Sequence, residues 1–374
     1  MRAGGWAQRK CVVRVKEPLA PLQVRFQWMP APVPQRFRTG VSLHSHTYYS
    51  RENFDFIRRA GLRTPLVASL IRAAETRYHR RHGKWLELGC AWWTPPLGPG
   101  EVLRGELEQL RRLGLEGLVA ITDHDDMQAT LDLRLEHPAA PLSLEWSVPF
   151  GTAMLHLGIY NLPSARAGDI FLAMQRYRDA PEIHTLPEIL AAAGSDPGAL
   201  VVLNHPLWDE TGIGEARHEE AMRVFLQMFG GYIHGVELNG LRPAAENERV
   251  RTLAASTGKP PVSGGDRHGL ETNAVINLTN AATFGEFAEE IRAGWSHVLF
   301  LHHYRRPQGL RVARSTLDML RNHKGHPRGW RAWTDRVFYS DEGGRVRSLA
   351  EIWRPERIPA WRTGGVALTS REQR

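Results

Sequence analysis

The chain reads as an α/β protein, a mainly parallel assembly of short strands and helices with barrel-like closure. Three observations predict this. From about residue 41 to 300, short apolar runs alternate with stretches whose apolar residues recur at helical spacing. Several of those runs end in histidine or a carboxylate, as expected where C-terminal strand ends converge on one mouth. And 374 residues, 42% hydrophobic and 24% charged, are enough for one barrel-sized domain with additions or for two smaller domains.

Along the chain, residues 18–36 (PLAPLQVRFQWMPAPVPQR) are proline-rich and predict an extended arm or linker rather than a core element. A helix follows over 63–83, a Pro/Gly break over 90–100, and a second helix over 101–115. GLVAITDHDD (117–126) is an apolar strand ending in acids and a histidine, with Asp123 and Asp125 as candidate caps of the next helix. Residues 142–148 and 152–162 predict a hairpin around Pro149–Gly151. Helix–strand pairs then recur: LPEILAAAGSD before ALVVLNHP, ARHEEAMRVFLQMFGG before GVELNG, PAAENERVRTLAAST before PPVSGGDRHG. After NAVINLTNA, the helix TFGEFAEEIRAG leads into WSHVLFL, and beyond about 305 the alternation is lost.

Composition narrows the function. The net charge of +8 is largely arginine and concentrates toward the two ends, which suits anionic partners but reads equally as solvated basic faces of an arginine-rich chain. No basic run is interleaved with regularly spaced aromatics, so nucleic acid is only a minor option. Cys11 and Cys90 form neither a CxxC nor a disulfide framework. The first residues lack an apolar signal core, and no apolar run approaches a membrane span. The expectation is a cytoplasmic protein without membrane association.

The chemistry-bearing residues share one address, the strand ends. In VSLHSHTYYS a period of two would aim His44 and His46 at one point, as a metal site needs, although two solvated histidines would look the same. Glu145 within the apolar LSLEWSV is harder to dismiss, because an unpaired carboxylate there costs several kcal/mol. His156 in MLHLGIY, His205 before Pro206, and Asp266 and His268 in SGGDRHG complete the pattern. A cluster of histidines and carboxylates without thiolates suits Zn²⁺, Mn²⁺ or iron.

LHSHTYYS, AITDHDD, LNHP and SGGDRHG, in that order, resemble the four motifs of the PHP (polymerase and histidinol phosphatase) superfamily. The glutamate strand and LHLGIY between motifs two and three also look like that family. The resemblance spans about residues 41–300. It implies a distorted (β/α)7 barrel with two or three divalent metal ions (Zn, Mn or Fe). By that resemblance His44, His46, Glu145 and Asp266 hold one ion, Glu145 bridges to a second held with His156 and His205, and His124 and His268 hold a third. The chain would then divide into an N-terminal arm (1–40), a metal-dependent hydrolase domain (41–304) with a helical insertion at about 53–105, and a C-terminal extension (305–374).

Departures from the family pattern sit at Arg51 and Glu52 after the first motif, where Glu52 is a candidate third-site ligand, and at Asn204 and Gly265. The implied activity is hydrolysis of a phosphomonoester or phosphodiester, in a phosphorylated small molecule or nucleotide, by a metal-activated hydroxide. Ions sharing a carboxylate at about 3.5–4 Å acidify water and clamp the phosphoryl oxygens. Asp123 and His268 are candidate proton donors, and Arg267 and Arg51 candidate phosphate contacts. The alternatives are a metal-dependent hydrolase of C–N or carboxylic ester bonds, and a degenerate metal domain associated with nucleic acid. Three further features have plainer readings: His302–His303 as structural or exposed, Trp92–Trp93 as packing, and Gly264–Gly265 as room for close backbone approach.

Overall fold

The structure, a computed structural model, describes residues 22–29, 37–54, 65–83, 85, 88–341 and 343–353. The basic N-terminal stretch, Cys11 and the last twenty-one residues lie outside the described residues. Its strands are β1 Leu22–Phe26, β2 Thr39–Ser42, β3 Glu52–Asn53, β4 Ala91–Trp93, β5 Glu116–Val119, β6 Leu144–Phe150 and β7 Ala153–Tyr160. They continue as β8 Leu200–Asn204, β9 Gly235–Asn239, β10 Pro261–Gly264, β11 Val275–Thr279, β12 Ser296–Phe300, β13 Val337–Ser340 and β14 Val346–Ser348.

The architecture is mixed α/β. One five-stranded sheet runs β1-β12-β11-β2-β5, a second β10-β9-β8-β7-β6, and a four-stranded sheet β14-β13-β4-β3 stands beside them. The strands are less uniformly parallel than the alternation predicts. β7 is antiparallel to both β6 and β8, and β11 is antiparallel to both β12 and β2. The expected hairpin is present, turning at Gly151 with φ of 60°. Among the described residues the two large sheets do not form one closed ladder. They meet at isolated bridges, Ser45 with Arg267 and His124 with Glu145, just beyond the ends of β2, β10 and β5.

Helices pack outside these sheets. Pro99–Arg112, Leu186–Ala193, Glu215–Phe229, Ala244–Thr257 and Phe284–Arg292 fall where apolar periodicity places them, and Ala167–Asp179 is a further helix that the sequence reading does not include. The largest core joins Trp146 on β6, Leu157 on β7 and Leu203 on β8 to Tyr177, Phe225 and Phe229 of the covering helices. Burying each large side chain contributes roughly 2–3 kcal/mol, which makes the sheets a firm base for polar ends. No helix among the described residues is long and apolar enough to cross a membrane.

Two stretches differ from expectation. Within the proline-rich stretch, Leu22–Phe26 is a strand paired in parallel with β12, with Val24 and Phe26 packed against the core. Beyond 305, a helix at Gln308–Met319 precedes β13, which pairs with β4 and so ties this segment to the insertion.

Candidate metal centre

The donors converge because the backbone turns sharply just after the strands end. β2 stops at Ser42, and His44 has φ of 61°. A period of two therefore finds the right pair for the wrong reason, since a left-handed turn rather than strand alternation brings the His44 and His46 rings to 5.1 Å. His205 (φ 24°) and Asp266 (φ 53°) are also left-handed, at a cost of order 1–3 kcal/mol each. The surrounding bonds hold them: Gly265 N donates to Leu43 O at 2.9 Å, His46 N to Arg267 O at 2.8 Å, and His205 N to Glu237 Oε2 at 2.7 Å.

Glu145 is the centre of the arrangement and is fully buried. Its Oε2 lies 3.0 Å from His44 Nε2, 3.4 Å from His46 Nε2 and 3.3 Å from His124 Nδ1. Its Oε1 lies 3.1 Å from His205 Nε2 and 3.4 Å from His156 Nδ1. Asp266 Oδ1 is 3.8 Å from both His44 Nε2 and His46 Nε2. Glu52 Oε2 is 3.1 Å from His268 Nε2 and 3.5 Å from His124 Nε2.

These side chains make four groups able to hold metal ions: His46, Glu52, His124 and His268; His44, Glu145 and His205; His44, His46 and Asp266; and His124, Glu145 and His156. Donor atoms within each group lie within 4.8 Å of one another. A direct test of fit is whether buried polar atoms lack partners. His46 Nε2, His156 Nδ1 and Glu52 Oε1 are buried without a hydrogen-bond partner among the described residues. Such atoms are costly unless something binds them, and a divalent cation accepted by imidazole and carboxylate answers that cost. The residues fit the group.

The electrostatics describe a charged lattice. Burial opposes the His44 imidazolium, but Glu145 and Glu237 raise its pKa well above the usual 6.5. His156 is likewise raised, against burial, by Glu210 and Glu145. Burial also opposes the His268 cation, yet Glu52 and Asp266 lift it to about 9. His46 goes the other way, lowered by burial and then by the charges of His268 and His124. Glu145 and Asp266, despite burial, are held below the usual carboxylate range by the surrounding histidines.

Three supporting residues lie outside the donor set read from the sequence. Glu237, buried on β9, bonds His44 Nδ1 and also accepts from His205 N and Asn239 Nδ2. Asn204 donates to Glu145 Oε1 at 2.9 Å, which gives its departure from the family pattern a physical role. Glu210 Oε2 lies 2.8 Å from His156 Nε2. Such partners fix ring orientation and raise the basicity of the ligating nitrogen. Glycine makes room for two of them: a Cβ on Gly264 would stand 1.5 Å from Glu237 Oε1, and one on Gly158 2.7 Å from Asn204 Oδ1.

Asp123 and Arg267 are placed elsewhere. Both Asp123 oxygens accept from Thr47, from the backbone N at 2.5 Å and from Oγ1 at 2.7 Å, so this carboxyl fixes a loop and joins none of the four groups. Burial pushes its pKa up to about 7. Nor does Asp123 or Asp125 cap the helix Gln128–Glu136: Asp125 accepts from Ser147 N, and Asp126 from Gln128 N. The Arg267 guanidinium points inward to Glu106 at 2.7 Å and to the carbonyls of Gly269 and Leu270, with no edge offered to a phosphate at the donors. Its loop turns, but toward the interior, because buried Glu106 is the strongest acceptor within reach. Arg267→Ala is expected to lower stability by about 3–5 kcal/mol by stranding Glu106. Urea unfolding checks this, and Glu106→Gln with Arg267→Met should recover at least half of the loss. His303 bonds Thr272 O and His302 faces Trp28, so neither extends the cluster. Trp93 is buried with its ring 6.0 Å from that of His268, and Trp92 stacks on Phe338.

No family model and no curated protein matches the chain. Among solved structures it is similar to PsfC from Pseudomonas syringae at 16% identity and a TM-score of 0.41, over 58% of this chain and 90% of that one. It is also similar to a provisionally named metal-dependent phosphoesterase from Bifidobacterium adolescentis, at 18% identity and TM-score 0.35, over 69% and 96% of the two chains. An amidohydrolase from Chromobacterium violaceum, with bound sulfate and no metal, matches at 14% identity and TM-score 0.33, over 61% and 87%. Likenesses this distant carry no argument about site or activity. The capacity to bind metal rests on the buried His, Glu and Asp groups of this chain.

Proposed function

We propose that the protein is a metal-dependent phosphoesterase of the PHP type, its two five-stranded sheets being the halves of a distorted (β/α)7 barrel. The observation that carries this reading is a fully buried carboxylate, Glu145, faced by five imidazoles from four other segments of the chain. Nine residues would hold two or three ions: His44, His46, Glu52, His124, Glu145, His156, His205, Asp266 and His268. Bound divalent ions supply Lewis acidity, which lowers the pKa of water and offsets charge developing on a phosphoryl group.

The chain's own residues prepare that site. Glu237, Asn204 and Glu210 set the rings and the shared carboxylate, and the loop bonds between Leu43 and Gly265 hold the two sides together. His268 gives Nε2 to the donor group, so it acts as a ligand rather than as a proton donor. Asp123 keeps the loop after His46 in place through Thr47. The substrate is a phosphorylated small molecule or nucleotide, for which the basic balance of the chain is favourable.

Elemental analysis paired with a substrate panel tests the proposal. Wild type should carry Zn, Mn or Fe and hydrolyse phosphomonoesters or phosphodiesters, with turnover lost in His46→Ala. Turnover confined to amides or lactones would replace the phosphoesterase reading with that of a C–N or carboxylic ester hydrolase. Nucleic-acid binding that weakens steeply with salt, without any metal-stimulated turnover, would replace it with a binding role.

A further inference from the structure

The donors that keep solvent access are His124 and His268, whose side chains are 17% and 15% exposed. The centre therefore opens on their side. Glu52 touches both of them, and the residue before it, Arg51, is exposed, with its guanidinium 5.3 Å from the centre of the Trp92 ring. From the C-terminal segment, Arg328 lies 4.9 Å and 4.7 Å from the ring centres of Tyr48 and Tyr49, which follow His46 closely, and 5.5 Å from that of Trp330. Phe338 joins the two groups, stacked on Trp92 at 5.7 Å and edge-on to Trp330 at 5.2 Å. The charges of both arginines reach Asp126, two residues past His124. Yet among the described residues no carboxylate lies within ion-pair distance of either guanidinium.

Several exposed arginines among the described residues behave differently. Arg111, Arg112, Arg223, Arg249 and Arg251 each meet a glutamate. Arg328 also hydrogen-bonds the Tyr48 and Tyr49 side chains, contacts that leave its charge without a carboxylate counterion, and a guanidinium held against aromatic rings loses little rotamer entropy on binding an anion. Two such groups bracket one half-buried aromatic patch beside the open side of the donors.

We propose that Arg51 and Arg328 hold a second anionic group of the substrate, separate from the group hydrolysed, with Trp92, Trp330 and Phe338 between them taking an attached planar ring. The C-terminal segment is then part of the substrate site, and the preferred substrate is a phosphoester bearing another negative charge. This rests on the phosphoesterase reading above.

The test uses metal-loaded protein and two phosphonates that cannot be hydrolysed, benzylphosphonate and 4-carboxybenzylphosphonate, with binding followed by calorimetry. Wild type should bind the carboxylated compound at least about tenfold more tightly, as expected for a charge-assisted contact. Arg51→Ala and Arg328→Ala should each reduce that preference to less than about twofold, and Arg328→Lys should keep part of it. Melting temperature and metal content show whether each variant is intact, and Arg51→Ala with Arg328→Lys carries the test if Arg328→Ala does not fold. Equal affinities in wild type, no binding of either compound, or a preference that survives in the variants would overturn the proposal. A preference that the variants abolish, in a protein that hydrolyses no phosphoester, would leave the anion site standing and remove the phosphoesterase reading.

Discussion

Glu145→Gln should lose metal and hydrolysis together. The substitution keeps shape and one carbonyl oxygen but removes the negative charge that five imidazoles face. Glu145 belongs to two of the four donor groups, so both lose a ligand at once. Replacing a partner that only orients a ligand typically costs about 10–100-fold in metal affinity. Removing a shared ligand should exceed that, with affinity falling by more than about 100-fold and turnover falling with it. Glu237→Gln gives the graded comparison: it leaves every donor in place and should cost about 10–100-fold in affinity through His44 Nδ1. Equilibrium dialysis against a chelator, followed by elemental analysis, reads both variants. A Glu145→Gln protein that retains wild-type metal content would refute the central role of this carboxylate.

The second large effect is on stability and depends on pH. In the metal-free chain His44, His156 and His268 bind protons more tightly than they do unfolded. Their contribution is full below about pH 6.5 and is lost as pH rises through the folded values, about 9 for His268. Glu145, Asp266 and Glu52 have depressed values, so their contribution holds above about pH 4.5 and fades as pH falls through the folded values. His46, also depressed, opposes stability as pH drops below about 6.5. Chelator-treated protein should therefore lose melting temperature between about pH 6.5 and about pH 9. Metal ions compete with those protons, so loaded protein should not follow this decline. Ions at a thousandfold excess over Kd contribute about 4 kcal/mol each, a rise on the order of 10 °C. Calorimetric melts of loaded and chelated samples across that range check it, and a gap that narrows as pH rises would contradict the lattice described here.

Some features were legible in the sequence because they obey local rules, and others were hidden because they depend on what lies across space. Helices such as Glu215–Phe229 and Ala244–Thr257 follow from apolar spacing, and the hairpin from Pro149–Gly151. The antiparallel placement of β11 is not written in NAVINLTNA, since a buried apolar strand looks the same in either direction. Glu145 stood out as a carboxylate in an apolar strand, and Glu237 in GVELNG carries the same signal without a motif to draw attention to it. Glu210 in WDETG reads as an ordinary loop acid, and only its approach to His156 distinguishes it. Arg267 misleads for the opposite reason: a cation between two donors suggests a ligand contact, while its partner, Glu106, is 161 positions away in sequence.

The donors are scattered from His44 to His268, and they meet only where the two large sheets touch through the Ser45–Arg267 and His124–Glu145 bridges. Cations therefore cannot nucleate this architecture as they do in zinc fingers, because no contiguous fragment of the polypeptide offers a complete nest. Without ions, the buried histidines are held by charge pairing with neighbouring acids, such as His44 with Glu145 and His268 with Glu52. Any ions held here would join only after those distant segments have come together.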